Sequence, residues 1–120
     1  MMNESQLRLR YLQDDVPHRM GNLASTLSRL SDFIEFNRPA ESILAVLHEG
    51  QRFVAWTESD VDDRTAAELQ RLALDLQGWR DRWAAPAGDA AAATATEVSR
   101  TAKAWSDRVL ELSGLLTQGR

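Results

Sequence analysis

Four carboxylates lie close together in the sequence, at Glu58, Asp60, Asp62 and Asp63, and oxygen ligands of this kind bind divalent cations. A calcium loop needs an ordered spacing, a central Gly and a distal Glu, none of which this run contains. No histidine lies nearby in the sequence. Carboxylates just before a helix also offset the positive end of the helix dipole. We therefore expect these residues to cap a helix, and we expect no metal site.

A histidine with a defined neighbourhood lies earlier in the chain, in the run His18-Arg19-Met20-Gly21-Asn22. This run resembles the His-Arg-apolar-x-Asn box around the phosphoacceptor histidine in one class of bacterial sensor histidine kinases. The resemblance implies a helical phosphotransfer domain in which His18 takes up a phosphoryl group, with Asn22 one turn further on the same face. Without the resemblance, His18 is a solvent-exposed histidine in the first turn of a helix. Both interpretations stay open.

The rest of the sequence contains few residues that could form a catalytic or ligand-binding set. It has no cysteine, which excludes disulfides, thiolate metal sites and cysteine nucleophiles. It has no nucleophile elbow, phosphate-binding glycine loop, HExxH pair or Glu-x-x-His pair. His48 and Glu49 are adjacent, but neighbouring residues of a helix point in different directions. We expect no enzymatic activity, no cofactor and no metal.

Length and charge narrow the class of protein further. The 120 residues fit one domain, and 43% hydrophobic with 27% charged residues is the composition of a globular protein. A net charge of -4, with arginines scattered among carboxylates, argues against nucleic-acid binding. Residues 1–10 lack the features of a secretory signal or an anchor, and no run of about 18 apolar residues is present to span a membrane. We therefore expect a cytoplasmic protein.

Apolar residues recur at alternating spacings of three and four in four stretches, and each stretch predicts one seam of a helix. The four seams are Met20, Leu23, Leu27, Leu30 and Ile34; Ile43, Leu47, Gly50 and Val54; Leu69, Leu72, Leu76, Trp79 and Trp83; and Val98, Ala102, Trp105, Val109, Leu112 and Leu116. Helices with such stripes pack lengthwise at a shallow angle. The pattern predicts an all-α fold, an antiparallel up-and-down four-helix bundle with a short extra N-terminal helical segment.

Prolines and capping residues mark where the long helices begin and end. Proline suits a first helical turn and disfavours helix in the residue before it, so Pro17 and Pro39 each open a helix. The first two predicted long helices cover about 17–36 and 39–56. The third runs from the acidic run to residue 84, and the fourth runs from residue 89 to a stop near Gly119. We take 1–120 as a single domain, with 1–15 as an N-terminal segment and 85–91 as a flexible linker between the third and fourth long helices.

Residues 3–13 are ambiguous. Leu7, Leu9 and Tyr11 alternate with charged residues as in a strand, whereas Leu7 with Tyr11 and Leu9 with Leu12 fit a helix. Because a strand would have no partner in an otherwise helical chain, we favour a short helix. It either packs across an end of the bundle or continues into the first long helix through a kink at Pro17.

Gly50 occupies a seam position, where glycine costs about 1 kcal/mol relative to alanine in helix propensity. Two explanations fit this position. Either the missing side chain makes room for the Trp105 indole of the fourth long helix, or the glycine faces solvent on a slightly rotated helix.

Three residues outside the seams are candidates for partner binding. Trp56 lies off the seam near the end of its helix, where its ring could anchor an interface, while the other three tryptophans lie on seams and should fill the core. Leu74 and Leu110 also lie outside the seams, on faces that should be exposed to solvent in a monomer. Apolar residues in such positions favour self-association.

Two further runs resemble a known group at the scale of the whole chain. The runs AWSDRVLELSGLL, at 104–116, and FVAWT, at 53–57, look like short uncharacterised all-helical proteins of cyanobacterial type. The resemblance implies no activity and no catalytic residue. The sequence therefore favours a non-enzymatic protein–protein interaction or assembly module, with a protein partner or a second copy as a homodimer. The alternatives are histidine phosphotransfer through His18 and binding of a small apolar ligand among the tryptophans.

Overall fold

Five α-helices follow one another in the computed structural model, which describes residues 3–85 and 91–114. They are α1, Glu4–Leu12; α2, Val16–Glu35; α3, Ala40–Thr57; α4, Asp63–Ala84; and α5, Ala91–Ser113. A 3-10 turn, Glu58–Asp60, connects α3 to α4. The short N-terminal segment is helix α1, which ends before α2 begins and does not continue into it. Residues 86–90 of the predicted linker 85–91 lie outside the described residues, as does the predicted stop near Gly119.

Side-chain caps explain where three of the helices begin. Asn3, Asp15 and Asp62 each accept a hydrogen bond from the backbone N–H three residues later, at the start of α1, α2 and α4. Pro17 lies in the first turn of α2, where its missing N–H costs nothing. The cap and the proline together fix the start of α2 directly after the loop that follows α1.

Helix α2 ends in a Schellman turn. Asn37 has a φ of 53°, in the left-handed region that Asn tolerates better than most residues. The Arg38 N–H bonds the Phe33 carbonyl at 2.9 Å and the Asn37 N–H bonds the Ile34 carbonyl at 3.1 Å, which satisfies the last carbonyls of the helix. The chain therefore reverses within a few residues and starts α3 alongside α2.

Hydrogen bonds between helices fix their relative directions. Ser31 bonds Ser99 at 2.8 Å, and the Ala24 carbonyl accepts from Ser106 at 2.7 Å. A later residue of α2 is thus paired with an earlier residue of α5, so the two helices are antiparallel. The same antiparallel order relates α2 to α3 and α4 to α5. The hydrogen-bonded pairs are Thr26 with Glu49, Arg19 with Trp56, Asp75 with Trp105, and Glu68 with Arg108. Since α3 also packs on α4, the predicted antiparallel up-and-down four-helix bundle is confirmed.

The four predicted seams form the core. Every seam residue of α2 and α3 is buried, as are those of α4 up to Trp79. Trp83, Trp105 and Leu112 are half-buried against this core, and Leu116 lies outside the described residues. Each buried aliphatic side chain contributes about 1.5–3 kcal/mol, so the seams hold the fold together. Because the apolar residues keep to one face, no helix among those described is both long and apolar enough to cross a membrane.

Small side chains let α2 and α5 approach closely along most of their length. Ala24 and Ser31 of α2 bond Ser106 and Ser99 of α5, and all four residues are buried. Longer side chains, those of a tryptophan and an arginine, bridge α4 and α5, whose backbones approach each other at fewer points. The bundle is therefore tighter on its α2–α5 side than on its α4–α5 side.

Gly50 lies at a close approach of α3 to α4. A Cβ at position 50 would lie 3.6 Å from both methyl carbons of Leu76 and 3.9 Å from Thr26 Cγ2. Trp105 donates its indole N–H to Asp75 at 2.8 Å instead. The explanation that Gly50 makes room for Trp105 is therefore wrong, because α3 is adjacent to α4 and not to α5. The solvent-facing alternative is also wrong, since Gly50 is buried.

Candidate functional site

His18 and Asp15 form an exposed hydrogen-bonded pair at the start of α2. Asp15 Oδ1 accepts from the backbone N–H of His18 at 3.0 Å and lies 2.5 Å from the ring Nδ1 of the same residue. Both side chains are 63% exposed. The hydrogen bonds from the His18 ring and backbone lower the pKa of Asp15. When the neutral ring donates from Nδ1 to this carboxylate, Nε2 carries the lone pair and is open to solvent.

Asn22 lies one turn further along α2 but bonds a different residue. Its Nδ2 donates to Asp14 Oδ2 at 3.2 Å, and within the described part of the chain no hydrogen bond joins it to His18. Arg19, between the two, is buried. The structure thus brings both residues of the predicted phosphoacceptor box to one end of α2, each paired with its own aspartate from the α1–α2 loop.

The acidic run between α3 and α4 is divided among separate structural roles. Asp62 is the N-cap of α4 and accepts from the Thr65 N–H at 2.7 Å, and its hydrogen bonds with Thr65 lower the pKa of Asp62. Asp60 pairs with Arg19 across the end of the bundle. Within residues 3–85 and 91–114, no group of three His, Cys, Asp or Glu side chains is arranged to hold a metal ion.

Trp56, the predicted interface anchor, is half-buried in an aromatic cluster near the end of α3. Its ring centroid lies 5.7 Å from that of Tyr11 and 6.1 Å from that of Phe53, and the Tyr11 and Phe53 rings stack at 4.2 Å. The guanidinium carbon of Arg52 lies 5.9 Å from the centroid of the Trp56 ring. Side chains of α1 and α3 therefore cover much of the indole, and only part of it is open to a partner.

Leu74 and Leu110, the two leucines expected to face water, differ in their surroundings. Leu74, in the middle of α4, is 75% exposed, more than any other large hydrophobic side chain in the described residues. Leu110 is half-buried and packs against the core cluster. The expectation of a solvent-exposed face does not hold for Leu110, because its side chain packs against the core although it lies outside the predicted seam.

A buried polar network, which the sequence pattern does not indicate, closes one end of the bundle. The Tyr11 hydroxyl lies 2.7 Å from Thr57 Oγ1 and donates to the Arg19 carbonyl at 3.0 Å. Arg19 donates to the Trp56 carbonyl at 3.3 Å and to Asp60 Oδ2 at 2.9 Å, where its charge also suits the negative end of α3. The partners come from three separate helices and a turn, so helical spacing could not have revealed them.

Two surface grooves border α2. The larger, of about 660 Å³, lies between α2 and α5, and its lining includes Ser31, Ser99 and Lys103. The smaller, of about 300 Å³, lies between α2 and α3, and its lining includes Phe33 and Glu49. Neither groove is lined by a tryptophan. They therefore add no support to the alternative of an apolar ligand bound among the indoles.

No protein-family model, curated protein or solved structure matches this chain. Three features of the described residues bear on function: the exposed His18–Asp15 pair, the exposed Leu74 on α4, and a core cluster of buried apolar side chains.

Proposed function

We propose that this chain is a non-enzymatic interaction module that pairs with a second copy of itself through the outer face of α4. Leu74 carries the proposal, because it is 75% exposed in the middle of a helix of 22 residues. Moving such a side chain from water into an apolar contact contributes about 1.5–3 kcal/mol. A self-complementary two-fold contact is also the commonest way in which soluble proteins form oligomers.

The outer face of α4 consists of exposed residues at helical spacing around Leu74. They are Ala67, Gln70, Arg71, Leu74, Gln77, Gly78 and Asp81. Gly78 lies one turn beyond Leu74, and a Cβ there would meet nothing within 4 Å. The face therefore presents a large apolar side chain next to a position that has no side chain and is open to solvent.

Two copies of this face complement each other when the α4 helices run antiparallel about a two-fold axis at the level of residue 76. Leu74 of each copy then lies over Gly78 of the other. The same axis places Arg71 opposite Asp81, so opposite charges meet on both sides of the apolar contact. A parallel pairing would instead bring the two Arg71 side chains together. Charge and shape thus favour the antiparallel dimer.

Sedimentation equilibrium over a range of concentrations tests the pairing. One helix pair buries less than the ~800 Å² per partner of a standard interface, so we expect a dimer that dissociates on dilution. Leu74→Glu should remain a monomer at concentrations where the wild-type chain is dimeric. Leu9→Glu is the matched control, since Leu9 is also exposed, at 65%, but lies on α1. A wild-type monomer at every concentration, or equal effects of the two substitutions, contradicts the proposal.

A second candidate function, histidine phosphotransfer, is supported by the 2.5 Å contact of His18 Nδ1 with Asp15. In this reaction the Nε2 lone pair of neutral His18 attacks the phosphorus of a phosphoryl donor. The bond from phosphorus to the leaving oxygen breaks, and the leaving group keeps that electron pair. Asp15 holds the ring and stabilises the positive charge that develops on it, as a carboxylate does for a catalytic histidine.

Incubation with acetyl phosphate followed by intact mass measurement tests this second function. The wild-type chain and His48→Gln should each gain one phosphoryl group, whereas His18→Gln should gain none. His48→Gln is the matched control because the chain has two histidines. No mass gain in the wild type, or an equal gain in His18→Gln, rules the reaction out.

A further inference from the structure

Arg52 on α3 has a hydrogen-bonding group that no described residue satisfies. Its Nε is the one buried side-chain nitrogen or oxygen in residues 3–85 and 91–114 without a hydrogen-bond partner. A buried donor without an acceptor destabilises the folded state. The guanidinium packs on Trp56, with its carbon 5.9 Å from the ring centroid. The indole therefore covers one face of a guanidinium whose Nε lacks an acceptor.

Two further basic side chains lie near Arg52. His48 is one turn earlier on α3, and Arg80 of α4 reaches α3 by donating from Nη1 to Gln51 Oε1 at 3.0 Å. Burial lowers the pKa of His48 most, the charges of Arg52 and Arg80 lower it further, and Glu4 opposes them. Both guanidinium groups are therefore close enough to act on the imidazole. We call His48, Arg52 and Arg80 the α3–α4 basic cluster.

The arginines of this cluster have no carboxylate partner in the described part of the chain. Neither Arg52 nor Arg80 forms an ion pair there, as is also true of most surface arginines in the described residues; Arg52 differs from them in its buried Nε without a partner. The glutamine that accepts from Arg80 carries no charge. Although the chain has a net charge of -4, the α3–α4 basic cluster is thus a local group of basic side chains.

We propose that the α3–α4 basic cluster binds a phosphate-type oxyanion. A planar guanidinium offers Nε–H and Nη–H groups in a fork that matches two oxygens of one phosphate. In the bound state we expect the Arg52 side chain to rotate so that its buried Nε turns outward and donates to the ligand. Arg80 and protonated His48 add donors from the neighbouring positions. The ligand is inorganic phosphate or the dianionic end of a phosphomonoester, which share this chemistry.

Proton NMR of the two histidine rings tests the site. Inorganic phosphate, added at constant ionic strength with chloride as the balancing ion, should shift the His48 ring signals and raise the pKa of His48. The reason is that a bound dianion offsets the neighbouring cations. The His18 signals are the internal reference, because His18 lies on α2 outside the cluster. A second titration uses glycerol phosphate. If glycerol phosphate binds more tightly than inorganic phosphate, the site is a phosphomonoester site.

Arginine substitutions complete the test. Arg52→Gln and Arg80→Gln should each weaken phosphate binding about tenfold, the effect of one charge-assisted hydrogen bond. Arg80 is exposed, so its substitution keeps the test valid if Arg52→Gln unfolds the chain. Arg100→Gln, an exposed arginine on α5, is the matched control and should change nothing. No His48 shift in the wild type, or an equal loss in Arg100→Gln, overturns the proposal. Leu74→Glu should bind phosphate normally, because the site does not depend on α4 pairing.

Discussion

The side-chain hydroxyls of Tyr11 and Thr57 lie 2.7 Å apart although 46 residues separate them in sequence. This contact joins α1 to the end of α3, and the same phenol donates to the Arg19 carbonyl at 3.0 Å. Tyr11 is the one buried residue of α1, whose other side chains are exposed or half-buried. Tyr11 therefore attaches α1 to the bundle.

Replacing Tyr11 by Phe keeps the ring that stacks on Phe53 and removes only the hydroxyl. We expect Tyr11→Phe to lower the free energy of unfolding by about 1–2 kcal/mol, because buried polar groups lose a partner. Urea unfolding followed by tryptophan fluorescence measures the loss. Thr57→Val is the matched variant, and the double variant should lose less than the sum of the two. Strictly additive losses would show that the two hydroxyls do not stabilise each other.

Tyr11 should also ionise at unusually high pH. Burial raises the pKa of its hydroxyl from 10.0 to about 12. Because the folded pKa lies above the unfolded one, this contribution to stability is complete below pH 10 and is lost between pH 10 and about pH 12. The loss is on the order of 2–3 kcal/mol. The chain has one tyrosine, so the near-ultraviolet absorbance of tyrosinate reports Tyr11 alone. Ionisation of the native protein at the same pH as in denaturant would contradict a buried phenol.

Arg19 should matter more to stability than its acidic partner Asp60. The Arg19 side chain is 9% exposed and also donates to the carbonyls of Asp14 and Trp56, whereas the Asp60 side chain is 48% exposed. Arg19→Met should cost about 2–3 kcal/mol, because it leaves partly buried acceptors without their donor. Asp60→Asn should cost less than about 1 kcal/mol, as for other solvent-screened ion pairs. Chemical denaturation compares them, and a larger loss for Asp60→Asn would reverse this assignment.

The bundle was predictable from the sequence because helical periodicity is a local signal. The seams of α2, α3 and α4 are buried where the spacing of three and four places them, with Trp83 half-buried at the end of α4. The exposure of Leu74 followed from the same reasoning. The half-buried state of Leu110 did not, because it depends on how the helices pack and not on local spacing.

Contacts between distant segments could not be predicted in this way. Trp56 is partly covered because α1 folds back over α3 through Tyr11, and the residues 3–13 carry no pattern that specifies where α1 packs. Gly50 looked like a recess for Trp105 because both lie midway along their helices, yet its neighbour is Leu76 of the adjacent helix. Which helices are adjacent and which lie diagonally is a property of the whole bundle.

Gly50 and Gly114 should respond in opposite ways to alanine. A Cβ at Gly50 would make ordinary contacts at 3.6 Å with Leu76, so Gly50→Ala should stabilise the fold by about 1 kcal/mol through helix propensity. Gly114 has a φ of +77°, so Gly114→Ala should destabilise the fold by about 1 kcal/mol. Thermal unfolding of the two variants measures both changes. A destabilised Gly50→Ala would mean that α3 and α4 pack more tightly than the structure shows.

The most direct test of the proposed self-association is a cross-link between single cysteines. Ala67 lies near the start of α4 and Ala85 is the C-cap residue directly after its end, and both are exposed. The antiparallel pairing about residue 76 brings Ala67 of one copy to the same level as Ala85 of the other. The chain has no cysteine of its own, so Ala67→Cys and Ala85→Cys each carry a single thiol. Under mild oxidation the mixed proteins should form a disulfide-linked heterodimer, while each protein alone should not cross-link. No heterodimer in the mixture, or equal cross-linking of either protein alone, would contradict the antiparallel α4 pairing.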